Sequence, residues 1–266
     1  MPCDVIDDRL LGALHIDALH RNGFAHLAHE EHAAFQVGTL DALMSGRFDG
    51  DATLGELLDH GTMGLGTVQH LGGELIVIDG DAFVARVDGS LEQVPRSLKT
   101  PFAVVTNFVA TRHSELSDVD FAALTSAIDD MGFDPDVVVS LQVEGSFTNL
   151  VVRSVPEQRP PYRPLSEVVH DQHEWTLEEA TGTLVGFRFP DRTAGVEVPG
   201  YHLHFIAADR STGGHVVDLF VEHAVVEVDA SSQLHVELPE GVGLGQPGVA
   251  DRAQIRSIEG GGDRST

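Results

Sequence analysis

Cysteine is almost missing from this 266-residue chain: Cys3 stands alone, so no intramolecular disulfide can form and no thiolate cluster can hold a metal. Any metal site must therefore draw on histidine and carboxylates. Basic residues are scarce as well, 16 against 42 acidic ones for a net charge of −26, and Lys99 is the only lysine. Binding a phosphate backbone takes a basic face that releases counterions, so DNA, RNA and anionic membranes are excluded as partners. No stretch approaches the ~20 apolar residues of a membrane span. Asp4, Asp7 and Asp8 stand where a signal peptide carries positive charge, and a cytoplasmic protein is expected. Self-repulsion at this charge destabilises a compact state unless salt screens it, which points to a salt-rich, halophilic-like setting. What the chain does have is apolar residues, 42% of the total and spread along its length, enough to build a sizeable core.

Residues 1–35 read as a histidine-rich, weakly amphipathic helical leader, and residues 36–266 as the working domain. Leu40, Leu43 and Met44 predict a short helix, and Thr53-Leu54-Gly55-Glu56 is a capping box that opens a second. Strand and turn signals follow in quick order from Gly66 to Val87, broken at Gly72-Gly73 and Gly80-Asp81, and read as an antiparallel meander. Ser117 is expected to begin the longest helix, with Phe121, Leu124, Ile128 and Met131 on one face. Asp136–Leu141 and Phe147–Val152 predict a hairpin turning at Glu144-Gly145, and a Pro-rich link runs from Val155 to Pro164. A short helix near Ser166–His170 and further strands, one through Ala224–Val228, complete the chain. The pattern argues α+β with mixed or antiparallel sheets, in two lobes of about 36–155 and 156–266.

Chemistry concentrates in Gly200-Tyr201-His202-Leu203-His204-Phe205-Ile206 and the return through Asp209 to His215. On a strand His202 and His204 project from the same face, and a glycine-rich turn can bring His215 onto the neighbouring strand. Three imidazoles without cysteine suit a catalytic divalent cation with open positions, Zn²⁺ first, with Mn²⁺, Fe²⁺ or Co²⁺ compatible with the same ligands. The competing reading is that these are simply three of fifteen histidines. His26, His29 and His32 read as a surface cluster, and His223 and His235 as isolated packed or solvated residues.

The segment His202-to-Leu219, HLHFIAADRSTGGHVVDL, resembles the metal-binding stretch of α-acetolactate decarboxylases. GLGT at Gly64–Thr67, GELIVIDG from Gly73, TPFAVVTNF from Thr100, and EGSF with VVRSVPEQRPPYRPL between Glu144 and Leu165 resemble that family in the same order, and Ile258-Glu259-Gly260 fits its C-terminal acidic motif. The resemblance implies conversion of 2-acetolactate to acetoin and CO₂, zinc on His202, His204 and His215, no organic cofactor, and a homodimer. It further implies Thr67 in the substrate pocket, Arg153 on the substrate and in catalysis, and Glu74 and Glu259 as catalytic acids. The family usually has Asp where Gly72 stands, and a basic residue within the strand Val139–Val143. Residue chemistry agrees with the role: a β-keto acid losing CO₂ leaves a carbanion that its own ketone absorbs, and a metal chelating the keto and hydroxyl oxygens lowers that barrier. Arg153 offers a fixed cationic fork for the carboxylate. Two other readings compete: a cupin-type His-metal oxygenase, which wants a glutamate four or five residues after the second histidine where Ala208 and Asp209 stand, and a non-catalytic binding module of related fold.

Overall fold

The computed structural model describes residues 5–20, 32–239 and 241–244; Cys3, His26, His29 and Glu259 lie outside them. The first half of the chain runs β1 (Val5–Leu11), β2 (Leu14–His20), β3 (Ala33–Val37), α1 (Leu40–Met44), β4 (Ala52–Thr53), α2 (Leu54–Leu58), β5 (Met63–Thr67), β6 (Glu74–Ile78), β7 (Asp81–Ala85), β8 (Leu91–Gln93), β9 (Lys99–Thr100) and β10 (Phe102–Thr106). The second runs β11 (Arg112–Asp120), α3 (Phe121–Asp129), β12 (Val138–Ser154), α4 (Leu165–Val168), β13 (His173–Phe189), β14 (Gly200–Ala207), β15 (Gly213–Ser231) and β16 (Gln233–Leu238).

Strands dominate, and the few helices are short. Among the described residues one sheet has the order β1-β2-β16-β3-β10-β5-β6-β7-β8 and a second the order β11-β15-β12-β13-β14. They pack face to face: Leu65, Ile76 and Val104 of the first meet Val185, Phe187 and Ile206 of the second in one buried cluster. The outer face of the first sheet buries Phe35, Val77 and Val105 against Leu54 and Leu57 of α2. That of the second is covered by Leu124 and Ile128 of α3. Being buried on both faces explains why β6 (ELIVI) and β10 (FAVVT) are near-continuous apolar runs.

Four sequence expectations are corrected. The described part of the expected helical leader is β-structure: Leu14, Ile16 and Ala18 alternate inward, each fully buried, so the operative period is two, and β2 pairs with β16. The helix expected from Ser117 begins at Phe121. Ser117 to Asp120 belong to β11, and the Asp120 side chain caps the helix by accepting from Ala123 N at 2.8 Å. No hairpin forms at Glu144-Gly145: β12 runs unbroken for 17 residues, with Gly145 opposite both Gly182 and Ala224. A Cβ on Gly145 would meet the His223 carbonyl oxygen at 2.2 Å, so glycine there permits close strand approach instead of turning the chain. Finally, the sheets do not divide the chain at residue 155: β12 lies between β13 and β15, and β16 returns to the first sheet. The capping box at Thr53 and Glu56 forms as expected. The turn near Gly80 falls on Asp79 and Gly80, both at positive φ as a two-residue hairpin requires.

The second sheet also closes on itself. β12 pairs with β13, β13 with β14, and the start of β15 pairs with β14 on one side and β12 on the other. Gly213 and Gly214 open β15 at this squeeze; a Cβ on Gly213 would sit 2.6 Å from the Phe205 carbonyl oxygen. This ring, with β5 and β6 of the first sheet against it, positions the site.

Candidate metal centre

His202 and His204 on β14 point the same way, and register places His215 of β15 directly opposite His204. Ring centroids lie 5.0 Å apart for His202 with either partner and 5.4 Å for His204 with His215. One ligand nitrogen from each converges so that all lie within 4.8 Å of one another, and all three residues are buried.

His204 Nδ1 lies 2.8 Å from the Leu75 carbonyl oxygen of β6. A carbonyl can only accept, so Nδ1 carries the hydrogen and Nε2 keeps its lone pair. That Nε2 is buried without a hydrogen-bond partner, as is Nδ1 of His202. The Glu74 carboxylate approaches His204 Nε2 to 3.5 Å, a lone pair facing an anion across a gap that a proton or cation would fill. Burial first, then Arg153, pushes His202 down to about 3. Burial first, with the neighbouring His202, pushes His204 far below the usual imidazole range. Both are neutral near pH 7, the form a metal binds. Orphaned nitrogens, neutral rings and convergence together fit a divalent cation.

Arg153 of β12 is the register partner of His215, so His204, His215 and Arg153 form a row across three strands. It is 4% exposed, its Nη1 donates to Gln172 Oε1 at 2.9 Å, and its Nε makes no hydrogen bond. Thr67 and Glu74 face each other across β5 and β6. The Thr67 hydroxyl donates to the Gly73 carbonyl at 2.9 Å, fixing the turn from which Glu74 emerges. Thr67, Glu74, Arg153, His202 and His215 form the polar side of one pocket, whose other side includes Leu40, Leu71, Phe102, Val155 and Leu165. His204 lies beneath, fully buried.

The structure thus brings together every sequence-predicted site residue that it describes. Outside the site, His32 lies 2.8 Å from Asp229, His223 Nδ1 3.0 Å from Ser117 Oγ, and His235 is packed at 4% exposure. Sequence reasoning missed the Leu75 carbonyl, the apolar wall and Gln172. Leu75 could have been found beside Glu74, whereas Gln172 is separated from Arg153 by 19 residues and carries no local signal.

A family model for alpha-acetolactate decarboxylase matches residues 34–244. The chain belongs to the alpha-acetolactate decarboxylase family. It is 44% identical over 236 residues to the alpha-acetolactate decarboxylase of Methylococcus capsulatus, covering 88% of this chain and 91% of that one. With the Brevibacillus brevis alpha-acetolactate decarboxylase the identity is 39% over 206 residues, 77% of this chain and 72% of that one. The crystal structure of alpha-acetolactate decarboxylase from Bacillus subtilis strain 168 superposes with a TM-score of 0.81 at 31% identity, covering 86% of this chain and 99% of that chain. Family membership sets aside the cupin reading, and the pocket above belongs to a fold shared with these decarboxylases.

Proposed function

We propose that this pocket decarboxylates 2-acetolactate to acetoin and CO₂. The observation that carries the reading is the convergence of His202, His215, Arg153 and Glu74 on one cavity, with His204 buried beneath it and its ligand nitrogen among those of the other two histidines. His202, His204 and His215 would hold the metal, and their all-nitrogen donor set favours Zn²⁺, with Mn²⁺, Fe²⁺ and Co²⁺ compatible. When bound, that cation supplies a Lewis acid that withdraws charge from the keto and hydroxyl oxygens of the substrate. No organic cofactor enters, because the substrate ketone is its own electron sink.

The protein's residues do the rest. Arg153 holds the substrate carboxylate with a guanidinium whose Nε has no other hydrogen-bond partner. As the bond between C1 and C2 breaks, its electron pair moves onto the ketone and CO₂ leaves; C2 then takes a proton. Glu74, at the head of β6 and 3.5 Å from His204 Nε2, is placed to deliver that proton, with Glu259 as a second acid in this reading. Thr67 offers hydroxyl lone pairs to the substrate while its hydrogen stays on Gly73. The apolar wall keeps water off the carbanion. A homodimer and a cytoplasmic, salt-rich setting complete the reading, supported by the family resemblance and the acidic, nearly cysteine-free composition.

The test pairs metal analysis of the purified protein with acetoin production from racemic acetolactate under anaerobic conditions. Stoichiometric metal and oxygen-independent acetoin release are expected. An oxygen requirement, or full activity in metal-free protein, overturns the reading.

A further inference from the structure

Directly opposite Arg153 on β13 stands Glu174. Opposite charges facing each other across an antiparallel pair ordinarily form an ion pair. Here they do not: the Gln172 amide is inserted between them, accepting from Arg153 Nη1 at 2.9 Å and donating from Nε2 to Glu174 Oε1 at 2.8 Å. A guanidinium only donates and a carboxylate only accepts, so an amide, with one group of each kind, bridges the two in a single orientation. Gln172 is itself anchored where the 3-10 turn Val169–Asp171 ends, its backbone N–H donating to the Val169 carbonyl at 3.2 Å. Among the described residues no carboxylate forms an ion pair with Arg153, a buried cation in a strongly acidic chain.

We infer that Gln172 is a positioning residue that fixes the Arg153 guanidinium in the pocket and keeps Glu174 from neutralising it, so that its charge is reserved for the substrate carboxylate. The inference rests on the reading of Arg153 as the carboxylate fork. A glutamate at 172 would have the same shape and would place an anion on Arg153, in direct competition with substrate. A methionine would remove the bond without adding charge.

Two competitive inhibitors separate the roles: 2,3-dihydroxy-2-methylbutanoate, which keeps the carboxylate but lacks the ketone needed for decarboxylation, and butane-2,3-diol, which lacks the carboxylate. Both are measured with the full-length, metal-loaded protein and its Gln172→Glu, Gln172→Met and Arg153→Met variants, alongside kcat, KM, bound metal and Tm. Gln172→Glu is expected to weaken the carboxylate inhibitor and raise KM by about tenfold or more, with the diol changed by less than about twofold, because only a charge-assisted bond is lost. Gln172→Met is expected to shift the carboxylate inhibitor in the same direction by about threefold, and it alone decides the matter if the glutamate variant does not fold. Equal weakening of both inhibitors, or of neither, overturns the inference. Arg153→Met keeps the two readings apart. If it discriminates between the inhibitors while the Gln172 variants do not, the role of Gln172 fails alone; if it does not discriminate, the carboxylate fork itself is wrong.

Discussion

Because His204 gives its Nδ1 hydrogen to the Leu75 carbonyl, its tautomer is set by a strand of the opposite sheet, and Nε2 is presented to the site as a lone pair. Replacing His204 with alanine removes one donor and the tautomer lock together; bound metal and acetoin formation should both fall to background, and retained activity without metal would sink the mechanism. Glu74→Gln keeps the shape of the side chain, so metal content should hold while kcat drops by about 10²- to 10⁴-fold, the usual worth of a positioned general acid. Unchanged turnover would return Glu74 to the many solvated acids of the chain. At this scale the sequence was informative where spacing alone dictates geometry. His202 and His204, two apart, could only share a face. Arg153 and Thr67 were marked by resemblance, since nothing local separates a buried arginine from a surface one. Gln172 depends on a contact with Arg153, 19 residues away, which no local pattern encodes.

Two elements show where sequence pattern and tertiary partner diverge. The stretch LHIDALH in β2 alternates apolar and polar residues, but it is short enough to pass for one side of a weak helix; pairing with β16 decides the matter. If Leu14 is a core residue of a strand, Leu14→Ala should cost about 2–5 kcal/mol in denaturant unfolding, where trimming a dispensable leader would cost almost nothing. The β1-β2 hairpin also carries a pH signature. The hydrogen bond to Asp8 raises His15 above its usual value. A raised histidine stabilises fully below the unfolded value of 6.5 and loses that contribution as pH climbs through the folded one. The Tm difference between the wild type and His15→Ala should therefore be larger at acid than at alkaline pH. It should be small, because the pair is largely solvent-screened. β12 teaches the complementary lesson. Glu144-Gly145 between apolar runs is written like a hairpin turn, and only the His223 carbonyl pressing on Gly145 reveals a spacer. Gly145→Ala should cost about 1–3 kcal/mol as overpacking between three strands. By contrast α1, the capped α2 and the β6-β7 hairpin follow from local signals that their surroundings do not override.

Over the whole molecule the charge of −26 meets a site whose fixed positive group is Arg153. Several ion pairs, such as Arg163 with Asp171 and Arg192 with Asp136, include exposed side chains, and each is worth little. Salt therefore screens more repulsion than attraction. The Tm should rise between low salt and 1 M KCl, where the Debye length is about 3 Å; a falling Tm would mean that the pairs dominate. The closed ladder of β12, β13, β14 and β15 bears on what would happen when the proposed metal is taken away. In small zinc domains the ion founds the fold, and a chelator unravels it. Here the donors hang on strands held by backbone ladders to β12, β13 and each other. Stripping with a chelator should leave amide exchange along β14 and β15 nearly as slow as before, and added zinc should restore acetoin formation at the speed of diffusion into the pocket, not of refolding. In the proposed reading the cation would be a guest that can leave and return while the house stands.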